Sequence, residues 1–183
     1  MWAYLTPALL LFLEVGFPFG LLVPGGDTLL LFLGALAGEG KLALFPLLPL
    51  LFLGAFLGHG VGYGVGRWLG PPIRRRFSPE LVRKGEGLLA RFGPFALLLA
   101  PFVPGLRTLV PLLFGALGFP LLPYLLLSAL GSLLWTQGLV LFAYFLGQFA
   151  YFLGQRLPAW LLWLGLFLLA LLPLLARKRK LQG

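Results

Sequence analysis

The stretch 42–63 constrains this chain more than any other feature, because it contains no Asp, Glu, Lys or Arg and a single His, His59. A helix that crosses a membrane needs roughly 20 such residues at about 1.5 Å of rise each, and 42–63 meets that length. The stretch 157–176 meets it again. A soluble fold carries about a quarter of its residues charged, whereas this chain has 10%, gathered largely at the ends of its apolar runs. The expected fold class is therefore an all-α polytopic membrane protein, one membrane domain over 1–183. Glu14 interrupts the first apolar run and no basic segment precedes it, so 1–22 is expected to be retained and not cleaved as a signal peptide.

The apolar runs are 1–22, 28–38, 42–69, 88–103, 108–118, 120–154 and 158–176. Two of them, 28–38 and 108–118, are too short to cross, since a helix of that length covers about 16 Å. Each follows a Pro-Gly break, and the breaks resemble one another. At an offset of 80, Val23, Pro24, Gly25, Thr28 and Leu29 match Val103, Pro104, Gly105, Thr108 and Leu109, with Asp27 opposite Arg107. Chance likeness in a Leu-, Gly- and Pro-rich chain competes with a true repeat. Interrupted backbone is tolerated at membrane depth only where protein or a wet cavity shields it, and short broken segments in corresponding places point to a transport site. Two opposed re-entrant helical hairpins, related as an inverted repeat, are expected at about 1–38 and at 88–118. Transmembrane helices at 42–69, 120–154 and 158–176 and a basic loop at 70–87 complete the plan, with a basic tail at 177–183.

Positive charge sets the orientation. Arg67, Arg74, Arg75, Arg76, Arg83, Lys84 and Arg91 cluster in 67–91, and Arg177, Lys178, Arg179 and Lys180 end the chain. Both groups are expected on the cytoplasmic side of a cell (inner) membrane, where they would also attract anionic lipid. That assigns the net charge of +9 to topology, and no nucleic-acid partner is expected. Gly54, Gly58, Gly62, Gly66 and Gly70 recur every fourth residue, the pattern that lets membrane helices approach closely. Gly60 and Gly64 add a second line of small residues.

An ionisable group at membrane depth costs about 2.5–3.5 kcal/mol on the insertion scale and is a functional candidate. Glu14, Asp27, His59 and Arg107 are the four here. Arg107 follows Pro104-Gly105 and opens a short helix whose free N–H groups favour an anion. Its guanidinium can grip a phosphate through two parallel hydrogen bonds; the competing role is a salt bridge to Asp27 or Glu14. Arg107 with Gly105, Thr108 and Thr28 at the two helix starts forms the expected headgroup site. Glu14 and Asp27 are expected to exchange protons or a cation, although Asp27 could instead cap the helix after it. His59 and Arg91 are supporting candidates, His59 as a hydrogen-bonding packing residue and Arg91 as an interfacial anchor. With no Cys and one His, neither a thiolate metal site nor a two-His catalytic pattern can form. No enzyme activity and no cofactor are expected.

Four segments in order resemble the DedA family, also called SNARE-associated or VTT-domain membrane proteins. They are Glu14-Val15-Gly16 with Pro24-Gly25-Gly26-Asp27-Thr28-Leu29-Leu30, then Gly58-His59-Gly60-Val61-Gly62-Tyr63-Gly64-Val65-Gly66-Arg67, then Phe92-Gly93 with Phe102-Val103-Pro104-Gly105-Leu106-Arg107-Thr108, and last Gly131-Ser132-Leu133-Leu134-Trp135. The resemblance implies lipid translocation. Bacterial members recycle polyprenyl-phosphate carriers such as undecaprenyl phosphate between leaflets with proton coupling, and eukaryotic relatives scramble phospholipids. It also implies functional roles for Glu14, Asp27 and Arg107. Pro101 stands where the family has a further arginine, and His59 where an Asp is common. The expected function is a flippase for a polyprenyl phosphate, coupled to protons or a cation, with membrane lipid as the partner and a homo-oligomer left open. The alternatives are a phospholipid scramblase and a non-transporting membrane-organising protein.

Overall fold

The computed structural model describes residues 2–17, 25–74 and 79–156, and every regular element among them is helical. Two short helices, α1 (Trp2–Gly16) and α2 (Gly26–Gly38), precede the long α3 (Leu44–Arg74). The pattern then recurs. An interrupted arm made of α4 (Pro79–Phe92), α5 (Ala96–Leu99) and two 3-10 turns is followed by α6 (Leu106–Ala116) and the long α7 (Leu121–Arg156). Within α3 and α7, Leu44–Leu69 and Leu121–Leu153 are long and apolar enough to cross a membrane, and α1, α2 and α6 are shorter apolar helices.

Local chemistry accounts for most of these ends. Pro18 disfavours helical backbone at Phe17, and α1 stops at Gly16. Pro94 and Pro101 each lack an N–H and would clash with the preceding turn, so the arm before α6 breaks into the 3-10 turns Gly93–Phe95 and Ala100–Phe102. The helices α2 and α6 close alike. Gly40 at φ +77° and Gly118 at φ +69° turn the chain left-handed, and the next N–H, of Lys41 or Phe119, donates back to the carbonyl of Leu36 or Phe114. Only glycine adopts that backbone without strain.

Packing partners are exchanged in the same sense in both halves. α3 packs on α1 and on α6, while α7 packs on α5 and on α2. Each long helix thus holds the first arm of its own half and the second arm of the other. Glycines permit the closest approaches. Gly54 faces the Ala8 carbonyl on α1, and Gly131 faces the Leu97 carbonyl on α5. Gly34 of α2 abuts the Val140 carbonyl, and Gly115 of α6 abuts the Tyr63 carbonyl. Two cores result. One joins Leu11, Leu30, Leu47, Leu51 and Val140; the other joins Leu97, Leu109, Phe114, Tyr63 and Tyr124. The outside is apolar as well: Phe45 is 88% exposed, Trp68 93% and Phe142 64%. Helices greasy on their outer face suit lipid as solvent.

Several expectations change. The basic stretch 70–87, read as a loop, is helical to Arg74 and again from Pro79. The first arm of 88–118 alternates α-helix with two 3-10 turns, for the proline reason above. The small residues on α3 divide by use: Gly54 and Gly58 pack on α1, Gly62 and Gly66 pack on α6, and Cβ atoms at Gly60 and Gly64 would meet nothing. The helix read at 158–176, the tail 177–183, and Val23 and Pro24 of the first break lie outside the described residues.

Candidate functional site

The broken arms bring Glu14, Asp27 and Arg107 together. Glu14 lies in the last turn of α1 and Asp27 in the first turn of α2, and both carboxyls reach Arg107. Gly26 lets the Glu14 carboxylate lie against α2, since a Cβ on it would sit 2.7 Å from Glu14 Oε2 and push that side chain aside. Arg107 enters from the other break. Gly105, at φ +83°, turns the chain into α6, and Arg107 is the second residue of that helix. The two aligned glycines do different work: Gly25 has φ −148°, which any residue adopts, whereas Gly105 needs its missing side chain.

Arg107 is 3% exposed. Its Nη2 donates to Glu14 Oε1 in a short ion pair, and its Nη1 donates to Asp27 Oδ1 at 3.2 Å. A buried guanidinium left unpaired would be prohibitively costly; here each terminal nitrogen has a carboxylate. Each acid also has a donor besides Arg107. The Gly25 N–H lies 3.4 Å from Glu14 Oε1, and the Trp135 indole N–H donates to Asp27 Oδ1 at 2.8 Å. The guanidinium carbon stands 5.1 Å from the centroid of the Trp135 ring, within cation–π range. The side chain of Asp27 is the exposed member of the trio at 37%, against 12% for Glu14 and 4% for Arg107.

The other candidates fall into place around this trio. Thr108 is buried, and its hydroxyl donates to the Glu14 carbonyl at 3.5 Å, so it ties α6 to α1. Thr28 is exposed beside Asp27. The alternative role of Asp27 as a cap is not taken up: Gly25 is the N-cap of α2 without a side-chain bond, and the Asp27 carboxylate turns to Arg107 and Trp135. His59 is buried between the long helices, with Nδ1 2.8 Å from Ser132 Oγ and its carbonyl accepting from the Tyr124 hydroxyl at 2.7 Å. Arg91 lies exposed at the end of α4, its guanidinium 5.4 Å from the ring centroid of Phe92.

Trp135 and Ser132 escaped the reading of residues one by one. Both are uncharged residues inside a long apolar helix, where hydropathy carries no mark of what the side chain touches.

Most of the chain matches a known family: residues 17–145 fit the VTT domain. This chain is a membrane protein of the DedA (VTT-domain) family. It is 33% identical over 152 residues to the uncharacterized membrane protein ML0287 of Mycobacterium leprae, covering 78% of this chain and 67% of that one. It is 30% identical over 139 residues to the inner membrane protein YghB of Escherichia coli K12, covering 73% and 63%. Protein DedA of the same strain is 29% identical over 151 residues, covering 79% and 67%. The matches thus span about two thirds of these relatives' own length. No solved structure matches the chain.

Proposed function

We propose that this DedA-family protein carries a lipid phosphate, of the polyprenyl-phosphate kind, across the membrane in exchange for protonation changes at Glu14 and Asp27. One observation carries the reading: a buried arginine at a helix break whose two terminal nitrogens are both held by carboxylates from the opposing break. Two N–H groups spaced for two carboxylate oxygens are equally spaced for two phosphate oxygens. With both acids ionised, the trio has one net negative charge. A phosphate brought within about 4 Å of that charge would cost on the order of 4 kcal/mol at an effective dielectric of 20. Protonating one acid removes that penalty and frees a nitrogen of Arg107. Headgroup and proton are therefore expected to enter together, and loss of the proton on the far side restores the ion pair and expels the headgroup.

The helices α1 and α2, and likewise the arm before α6 with α6, are read as two re-entrant hairpins inserted from opposite faces and related as an inverted repeat. The exchanged packing of arms on α3 and α7 and the matching closures at Gly40 and Gly118 support that reading. Rocking one hairpin pair against the other would expose the trio to each leaflet in turn.

The test is flipping of a prenyl phosphate in vesicles that contain purified protein. Arg107→Ala, still inserted and folded, should abolish flux, and Arg107→Lys, which keeps charge but loses the fork, should restore only part of it. Flux that survives Arg107→Ala would overturn the assignment. Equal flux of neutral lipids, indifferent to a proton gradient, would instead make the protein a scramblase.

A further inference from the structure

Trp135 occupies a position that the exchange at Arg107 leaves unexplained. It is fully buried on α7, and one rigid side chain meets both members of the ion pair, its N–H on Asp27 and its ring under Arg107. Both donors converge on the same oxygen, Asp27 Oδ1, and the indole bond at 2.8 Å is shorter than that from Arg107 at 3.2 Å. Other side chains offer one of these functions. Only tryptophan combines a broad π face for a cation with an in-plane donor that never accepts.

We infer that Trp135 is a positioning residue: it retains Asp27 when a lipid phosphate takes the carboxylate's place on Arg107, and so sets the affinity for the headgroup. The inference rests on the lipid-phosphate reading above. Phosphate and Asp27 compete for Arg107 Nη1. The side chain of Asp27 is 37% exposed, yet a carboxylate pushed off its guanidinium with no second donor loses the pairing that favours its charge, so it would cling to Arg107 and exclude the substrate. Glu14 meets the same difficulty through the Gly25 N–H, a main-chain donor that no substitution removes. Asp27 depends on a side chain for this, which makes the device testable.

Binding of farnesyl phosphate to the purified full-length protein in detergent reads it directly. Trp135→Phe keeps a ring under Arg107 and loses the N–H; its Kd should rise about tenfold, the scale of one hydrogen bond to a charged group. Replacing Trp135 by benzothienylalanine, which keeps the bicycle and lacks only the N–H, should do the same and covers the case in which Trp135→Phe folds poorly. In an Asp27→Ala background the N–H has no carboxylate to retain, and neither replacement should change Kd further. A merely space-filling Trp135 would lower the amount of folded protein with Kd unchanged, and that result overturns the inference, as does an equal Kd change in both backgrounds. Arg107→Ala serves as the control. Undiminished binding there defeats the lipid-phosphate reading itself, whereas lost binding there with unchanged Kd in the Trp135 variants defeats only the positioning role.

Discussion

At the scale of single residues, the protein brings three charges together among apolar helices and makes each answer for another. Arg107 is expensive there unless both terminal nitrogens are paired. The acids are costly unless they face Arg107 or are protonated. On the proposed function, this mutual dependence makes the ion pair the place where headgroup and proton are exchanged. Glu14→Gln removes one ionisable group but leaves an acceptor oxygen for Arg107 and the Gly25 N–H. The trio then carries no net charge, so prenyl-phosphate binding should be kept or strengthened. Release should stall because no proton leaves with the headgroup, and turnover should fall at least about tenfold. Binding and turnover measured together check this; a parallel fall in both would mean that Glu14 serves only to hold Arg107.

At the scale of elements, glycine placement explains why short, interrupted helices stay together without water to drive them. Helix association in lipid depends on close packing, and the glycines that face carbonyls on neighbouring helices provide it. Gly115→Ala would thrust a Cβ onto the Tyr63 carbonyl and to 2.8 Å from Arg67 N. Backbone cannot yield as a flexible side chain can, so α6 must withdraw from α3 and carry Arg107 with it. The expected loss is about 1–3 kcal/mol of stability, together with flux, read as a lower melting temperature in detergent. Gly60→Ala, with nothing within 4 Å, should be neutral or slightly stabilising through helix propensity. Equal effects at the two positions would refute the packing account.

At the scale of the whole molecule, the two halves bind each other through exchanged arms, so neither is expected to fold by itself. Orientation follows from where the cations lie. Because the sequence has no Cys, single-cysteine variants report sidedness without interference. Lys41→Cys, between α2 and α3, should react with an impermeant thiol reagent from the outside of intact cells. Arg83→Cys, on α4, should react only from the cytoplasmic side. Labelling of both from one face would show that α3 does not cross, and the scheme of opposed hairpins would fail with it.

Much of this architecture was legible in the residues. Hydropathy runs marked α3 and α7, because a length of apolar chain that matches the bilayer is a local property. The Pro-Gly breaks marked the ends of the short helices, and the offset of 80 paired Asp27 with Arg107 before any distance was measured. What sequence could not supply was contact. Thr108 was placed at a helix start, but not against the Glu14 carbonyl; Asp27 could have been a cap and is turned toward Arg107 and Trp135; Trp135 stood out only within a family-like segment, with no partner named. Each of these roles depends on an atom supplied by a different helix, and only the tertiary structure decides which atoms arrive. The chain by itself determined that unlike charges would stand at two breaks between apolar helices, since that is written in residue type and position. The fold alone decided which partners make those charges bearable, because that depends on how distant helices pack.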